Sequence, residues 1–181
     1  IDLVVIDTDS DLIAEEAAAH FPGVRVVERP AHLRGGDVPM NDVLLHDIDI
    51  VDASLYLQTH STNPLLKATT ISRAVDAFEA SRDRYDSLFS VTALRTRLWT
   101  QDGEAINHDP NLLLRTQDLA PVMEENSCLY LFAGETLRRR GNRIGERPLL
   151  FELTPTEAWD IDDETDWTIV EALYEHDRLR V

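Results

Sequence analysis

Segments typical of strands and of helices alternate along this chain, and this alternation constrains the fold more than any other feature. The apolar run Leu3 to Ile6 is followed by a helical segment rich in alanine and glutamate, Asp11 to His20. Pro22-Gly23 ends that helix, and a second apolar run, Val24 to Val27, follows. Strands that alternate with helices are typical of βαβ units. The sequence therefore predicts an α/β fold, with a mostly parallel sheet and helices on both of its faces.

The alternation continues to the end of the chain. Further strands are predicted at Ala53–Leu57, Ser87–Val91, Ser127–Phe132 and Leu149–Leu153, and further helices at Asn41–Ile50, Thr70–Ala80, before Gly141 and at Glu164–Leu179. Either Asp9 or Ser10 can cap the first helix, and Asn41 can cap the second. The helical period predicts buried faces made by Ile71, Ala74, Val75 and Phe78, and by Trp167, Val170, Leu173 and Tyr174. No repeat or linker interrupts the pattern, so one domain is predicted over residues 1–181.

One stretch, residues 92–121, has no clean period. Asp102-Gly103 is a hairpin signal within it, and Leu94, Leu98, Trp99 and Leu112 to Leu114 are apolar. Thirty residues without regular structure are unusual inside a compact domain. The sequence predicts that this stretch is a dimerisation arm, on which each subunit of a homodimer buries apolar side chains of the other. The alternative is a hairpin that lies on its own subunit, with Trp99 as surface cover.

The net charge of the chain limits the kinds of molecule that it is expected to bind. The chain carries 34 acidic and 17 basic residues, a net charge of −17, and such a surface disfavours nucleic acid and anionic membranes. No apolar run approaches the roughly 20 residues that a membrane span needs. Cys128 is the single cysteine, which makes a reducing, cytoplasmic location the expectation.

The strongest local motif is Asp160-Ile161-Asp162-Asp163, just before the last helix. In an extended segment, residues i and i+2 point to the same side, which would place the carboxylates of Asp160 and Asp162 together. Carboxylate oxygens suit Mg²⁺, which keeps waters and also binds substrate phosphates. The alternative is that one of these acids caps the helix, and both interpretations hold if Asp163 is the cap.

Polar loops also follow two strands. Gln58 to Pro64 could bind sugar hydroxyls or a carboxylate, or could form a hydrogen-bonded turn that includes His60. Arg29 follows another strand and could contact a base or a phosphate, or could form a surface ion pair; Arg115 has the same two interpretations. The chain has no glycine-rich phosphate loop, no zinc-ligand spacing and no G-x-S-x-G nucleophile motif.

Together these segments resemble the acylneuraminate cytidylyltransferases, the CMP-sialic acid synthetases. The matching segments, in the order and spacing of that family, are DLVVIDTDSDLIAEEA, VVERPAHL, MNDVLLHDI, LYLQTHSTNPL, ENSCLYLF and AWDIDDETDW. They resemble the family's S-T-D turn with its following helix, its R-P-x-x-L segment and the helix after that, its L-L-Q-P-T-S-P-L loop, its N-G-x-I-Y-I strand and its D-I-D-T-x-x-D terminus.

The resemblance implies a Rossmann-like nucleotide-diphospho-sugar transferase fold and transfer of CMP from CTP to a 2-keto sugar acid. It implies a set of roles: Mg²⁺ on Asp160 and Asp162, cytidine at Arg29 and Asn41, the sugar acid at Gln58 and Tyr130, and a partner subunit's site reached by Arg115 and by Arg95 or Arg97.

The chain departs from the family in three places. The family's first strand and its L-x-A-R-x-x-S-K-G loop have no counterpart, so we expect the chain as printed to begin at the second strand and to fail to turn over CTP. THSTNP replaces the P-T-S-P core, and RGGDVPMND replaces the stretch before the second helix. Two alternatives stay open: a 3-deoxy-manno-octulosonate cytidylyltransferase, and a non-catalytic dimer that binds a sugar or a nucleotide.

Overall fold

The computed structural model describes residues 1–179, which form six strands and five α-helices and confirm the α/β class. In chain order the elements are β1 Val4–Thr8, α1 Asp11–His20, β2 Val24–Glu28, α2 Met40–Ile50, β3 Tyr56–Thr59, α3 Ala68–Glu79, β4 Ser87–Leu94, β5 Val122–Phe132, α4 Gly134–Arg140, β6 Pro148–Glu152 and α5 Glu164–Arg178. Among the helices of residues 1–179, none is long and apolar enough to cross a membrane.

Contacts divide the chain into two compact units. Unit 1 comprises Ile1–Leu55 and Ala133–Arg143, and unit 2 comprises Tyr56–Phe132 and the chain from Ile144 onward. Compact units of this kind occur within one domain as well as in two, so the single domain over residues 1–181 stays a prediction.

Unit 1 contains a parallel pair of strands and the helices α1, α2 and α4. β1 pairs with β2 from Val4 opposite Val24 to Thr8 opposite Glu28. Ser10 is the N-cap of α1, and its Oγ accepts a hydrogen bond from the Ile13 amide at 3.4 Å. α4 ends at Gly141, whose φ of 62° is the left-handed conformation that glycine adopts without strain.

The predicted cap of α2 is wrong. The N-cap residue is Pro39, which provides no side-chain hydrogen bond, and Asn41 lies in the first helical turn. Asn41 instead accepts a hydrogen bond at Oδ1 from the Arg143 amide at 3.2 Å. This long-range partner holds the side chain away from the capping position, and nothing in the local sequence signals it.

Unit 2 is built on a four-stranded sheet in the order β3-β5-β4-β6. β5 runs antiparallel to both β3 and β4, whereas β4 and β6 are parallel. The sheet of this unit is therefore mixed, where the sequence predicts mostly parallel pairing, because β5 is inserted between two strands that it opposes. The core lies along the end of β5, where each residue from Cys128 to Phe132 is at most 1% exposed.

The helices of unit 2 differ in how deeply they pack. Ala74 and Phe78 of α3 are buried, as their period predicts. In α5 only Val170 of the predicted face is fully buried, and the expectation is wrong for Trp167 and Tyr174, which are 57% and 55% exposed. At roughly 100° per residue these two aromatic rings lie about 40–60° around the helix from Val170, outside the narrow buried face.

The stretch over residues 92–121 is only partly irregular. Its first three residues belong to β4, and a bridge between Trp99 and Ala105 closes a hairpin whose turn contains Gly103 at φ 84°. This confirms the Asp102-Gly103 hairpin signal. Two arginines near the end of β4 hold the returning chain: Arg95 donates to the Leu119 carbonyl at 2.9 Å, and Arg97 donates to the Leu114 carbonyl.

Candidate active site

A bulge in β5 interrupts the sheet of unit 2. The register between β4 and β5 shifts between Phe89 and Val91, and opposite this shift Ser127 has a φ of 57°. Asn126 fills the gap: its Oδ1 accepts from Ser90 Oγ at 2.5 Å, and its Nδ2 donates to Thr92 Oγ1 at 3.0 Å. Such bulges and left-handed residues re-aim side chains and are frequent beside active sites.

An open groove of about 550 Å³ begins at this bulge. The end of β4, the outer half of β5 and the turn at 155–160 form its walls. Its charged lining residues are Arg95, Glu124, Glu125 and Asp160. A groove that brings an arginine and carboxylates together is suited to a ligand that carries phosphates and a divalent cation.

Among the residues that line this groove, Asp160 has the surroundings that point most clearly to a bound ligand. Its carboxylate is half-buried, and Oδ1 is buried with no hydrogen-bond partner among the described residues. An unpaired buried carboxylate oxygen is costly unless a cation or a donor reaches it. Asp162, two residues on, is exposed.

These two carboxylates fit Mg²⁺ as its ligands from the protein. Within residues 1–179, no three His, Cys, Asp or Glu side chains lie close enough together to hold a metal ion by themselves. A site with one or two carboxylates is typical of Mg²⁺, which keeps several waters and shares its coordination with substrate phosphates. The chemistry of the donors and the unpaired Oδ1 of Asp160 fit such a site, and the binding of Mg²⁺ stays a prediction.

Asp163 caps the last helix. Its Oδ1 accepts from the Thr165 and Asp166 amides at 2.7 and 3.0 Å, and Asp166 Oδ2 accepts from the Asp163 amide at 3.2 Å, which completes a capping box. The hydrogen bonds from the Asp166 and Thr165 amides lower the pKa of Asp163. The capping interpretation is confirmed for Asp163, so the carboxylates of Asp160 and Asp162 are not needed as caps.

The structure brings two of the segments that the sequence singles out into contact. Asn63, 3% exposed, donates from Nδ2 to the carbonyls of Ala158 and Trp159 at 3.4 and 3.1 Å. The Ile161 amide donates to the Thr62 carbonyl at 3.0 Å. The loop that follows β3 therefore holds the backbone on both sides of Asp160.

Gln58 and Tyr130 are opposite each other in the β3–β5 register. Gln58 is half-buried, and its Nε2 lies 2.9 Å from His60 Nε2. Tyr130 is 1% exposed and donates from its hydroxyl to Glu125 Oε1, a groove-lining carboxylate. Tyr130 is thus a support beneath the groove, and the role of both residues toward a sugar acid stays a prediction.

Arg115 is placed differently. Its side chain is 72% exposed and forms an ion pair with Asp118, with Nε 2.7 Å from Oδ2. Of the arginines over residues 92–121, Arg95 is the one that lines the groove. The role of Arg115 at a partner's site stays a prediction.

The sequence did not indicate the buried groups beneath Asp160. Glu157 is 6% exposed and accepts from the Lys67 amide at 3.3 Å and from Thr154 Oγ1 at 3.1 Å. Burial, and then the charges of Glu157 and Asp160, raise the pKa of Cys128 to about 12. The thiol therefore stays protonated and is unsuited to act as a nucleophile. A signal for the bulge did exist in Asn126-Ser127, two polar residues inside a strand.

Arg29 and Asn41 both lie in unit 1. Arg29 directly follows β2, and its Nε donates to Asp7 Oδ1. Its side chain is 23% exposed and that of Asp7 is 9% exposed, so this pair is largely buried. Contact of Arg29 and Asn41 with a nucleotide stays a prediction.

The fold of the chain is similar to the folds of solved cytidylyl-transferring enzymes. The structure of CMP:2-keto-3-deoxy-manno-octonic acid synthetase complexed with CTP superposes with a TM-score of 0.65 at 11% identity, over 98% of this chain and 82% of that one. The chain belongs to the cytidylyltransferase family, whose model matches residues 1–166.

Two relatives align with nearly the whole chain. Post-translational flagellin modification protein B of Campylobacter coli is 25% identical over 98% of this chain and 79% of its own length. N-acylneuraminate cytidylyltransferase A of Danio rerio is 25% identical over 93% of this chain. This chain spans 40% of the length of the Danio rerio protein.

Proposed function

We propose that the protein transfers CMP from CTP to a 2-keto sugar acid of the sialic acid type. Membership of the cytidylyltransferase family supports the transfer of a cytidylyl group. The observation that carries the assignment to this groove is the buried, unpaired Oδ1 of Asp160, in a groove that Arg95 also lines. The relative named as an N-acylneuraminate cytidylyltransferase favours a nonulosonic acid as acceptor.

In the proposed reaction the anomeric hydroxyl oxygen of the sugar acid attacks the α-phosphorus of CTP in line. The bond from that phosphorus to the bridging oxygen breaks, pyrophosphate leaves with the electron pair, and the hydroxyl proton passes to solvent. The protein forms no covalent bond to the substrates in such a step. Catalysis therefore depends on positioning the two substrates and on neutralising the charge of the phosphates.

Each residue has a proposed part in binding or orientation. Asp160 and Asp162 would hold Mg²⁺, which neutralises phosphate charge when bound. Arg95 adds a positive charge within the groove. Gln58 orients the sugar acid, with Tyr130 supporting the groove from below, and Arg29 and Asn41 contact the cytidine.

We also propose a homodimer formed through residues 92–121. Five large apolar side chains of this stretch are at least 40% exposed: Trp99, Ile106, Leu112, Leu113 and Leu114. A patch of this kind marks an interaction surface. Leu113→Asp should convert a dimer to a monomer in light scattering at micromolar protein, while Glu104→Gln, an exposed polar control, leaves the dimer intact. A dimer that persists in Leu113→Asp would place the interface elsewhere.

Pyrophosphate release by the intact gene product tests the reaction. CTP is offered with N-acetylneuraminate, with other nonulosonic acids and with 3-deoxy-manno-octulosonate, and each of the other nucleoside triphosphates replaces CTP in turn. We expect release with CTP and a nonulosonic acid alone. Turnover confined to the eight-carbon acid would replace the acceptor in the proposal, and no turnover with any acid would overturn it.

A further inference from the structure

Unit 1 contains a buried carboxyl pair that lies next to an arginine. Asp7 at the end of β1 pairs with Arg29 through Oδ1, and its side chain also interacts with the carboxyl group of Asp47 of α2. Asp7 Oδ2 and Asp47 Oδ1 are both buried, and neither receives a hydrogen bond from a nitrogen or hydroxyl of the described residues. Two interacting carboxyl groups that are buried in this way favour a state in which they share one proton.

Burial, the charge of Asp7 and the hydrogen bond with Asp7 raise the pKa of Asp47 to about 7, against the opposing charge of Arg29. Arg34, which forms an ion pair with Glu28, donates from Nε to the Arg29 carbonyl at 2.6 Å. On the side of α4, Arg138 pairs instead with Asp49 at 2.9 Å.

The proton changes what Arg29 presents to a ligand. With the proton in place, the three side chains sum to zero charge, because Asp7 balances Arg29. Without it, they carry one negative charge, and Arg29 is shared between two carboxylates. A negatively charged ligand would then meet repulsion that is weakly screened at a site this buried.

We propose that Asp47 is a positioning residue for Arg29, and that the proton it shares with Asp7 sets the affinity of Arg29 for an anionic nucleotide. The inference rests on the proposed function for the placement of a nucleotide at Arg29. It assigns to Asp47 a role through Arg29, without contact with the nucleotide. Affinity should therefore be high while the pair holds its proton and should fall as the pair loses it.

The test compares CTP dissociation constants of the wild type and Asp47→Asn by calorimetry at pH 6, 7 and 8. The terminal phosphate of CTP titrates in the same range, so the quantity of interest is the ratio of the two constants at each pH. We expect a ratio near one at pH 6 and wild-type binding on the order of threefold to tenfold weaker at pH 8. Asp49→Asn, on the same helix and paired with Arg138, should follow the wild type at every pH.

A ratio that is the same at all three pH values would overturn the inference, because a purely structural role of Asp47 predicts a constant factor. CTP binding that is absent in the wild type at every pH would overturn the proposed function instead. A carboxyl ¹³C titration of the ligand-free wild type needs neither CTP nor a variant. We expect one aspartate signal to titrate near neutral pH, and its absence would overturn the shared proton.

Discussion

Two carboxylates of this protein, each with one buried oxygen, have opposite surroundings. Asp7 of unit 1 has an arginine and a second carboxyl group beside it, whereas Asp160 of unit 2 has a buried oxygen with no partner among the described residues. The first cluster is neutral without a ligand, because Arg29 balances one carboxylate and a shared proton neutralises the other. The second is left incomplete by the protein, and a cation from outside is the simplest way to complete it. The contrast indicates that Asp7 supports a neighbouring binding residue, whereas Asp160 itself contacts a ligand.

The largest expected effect lies at the incomplete carboxylate. Asp160→Asn should reduce pyrophosphate release by at least ~100-fold, because the amide no longer provides an anionic ligand. Its thermal stability should be unchanged or higher, since the substitution removes an unpaired buried charge. Asp162→Asn should also abolish turnover. Asp102→Asn, an exposed acid in the hairpin turn, is the matched control and should retain full activity.

Gln58→Ala should give the next largest effect. An unpaired buried polar partner costs roughly 1–3 kcal/mol, so the KM for the sugar acid should rise ~10- to 100-fold while that for CTP changes little. Steady-state kinetics with each substrate varied in turn measures both values. Thr59→Ala, the exposed neighbour on β3, should leave both constants unchanged. A change in the CTP constant alone would assign Gln58 to the other ligand.

The cluster of Asp7, Arg29 and Asp47 in unit 1 should make the thermal stability of the protein depend on pH. The pKa of Asp47 in the folded protein, about 7, exceeds its ordinary value of 3.8. Its contribution is therefore fully present below pH 3.8 and is lost as the pH rises to about 7. The melting temperature of Asp47→Asn, relative to the wild type, should thus increase from pH 5 to pH 8. An offset that does not vary with pH would show that the carboxyl pair holds no extra proton.

The smallest expected effect concerns a third carboxylate, that of Asp86, which accepts hydrogen bonds from backbone amides. Asp86 accepts from the Glu146 and Arg147 amides at 2.9 Å each, and a Cβ at Gly145 would lie 2.1 Å from Asp86 Oδ1. Gly145→Ala should displace this carboxylate and lower the free energy of unfolding by about 1–3 kcal/mol in urea denaturation. Gly36→Ala, where a Cβ meets no atom within 4 Å, should cost less than Gly145→Ala.

Local patterns predicted the elements of this fold, and long-range contacts decided what the patterns missed. The Ser10 cap, the Asp102-Gly103 turn and the buried face of α3 depend on neighbours in sequence, and the structure confirms them. The exposure of Trp167 depends on how α5 packs within unit 2, which the helical period does not encode. The Asp160 segment was recognised because Asp160 and Asp162 lie two positions apart, but the Asp7–Asp47 pair joins residues 40 positions apart, for which a single sequence carries no signal.

The left-handed Ser127 divides β5 into two parts with separate tasks. Residues after it are sealed in the core, while Met123, Glu124 and Glu125 before it are exposed, and the two glutamates line the groove. Because few atoms pack against the outer part, substitutions there have little to disturb, whereas the inner part tolerates almost none. The inner part of β5 can thus stay unchanged while residues of its outer part vary. Related proteins can therefore differ in acceptor preference without a change of fold.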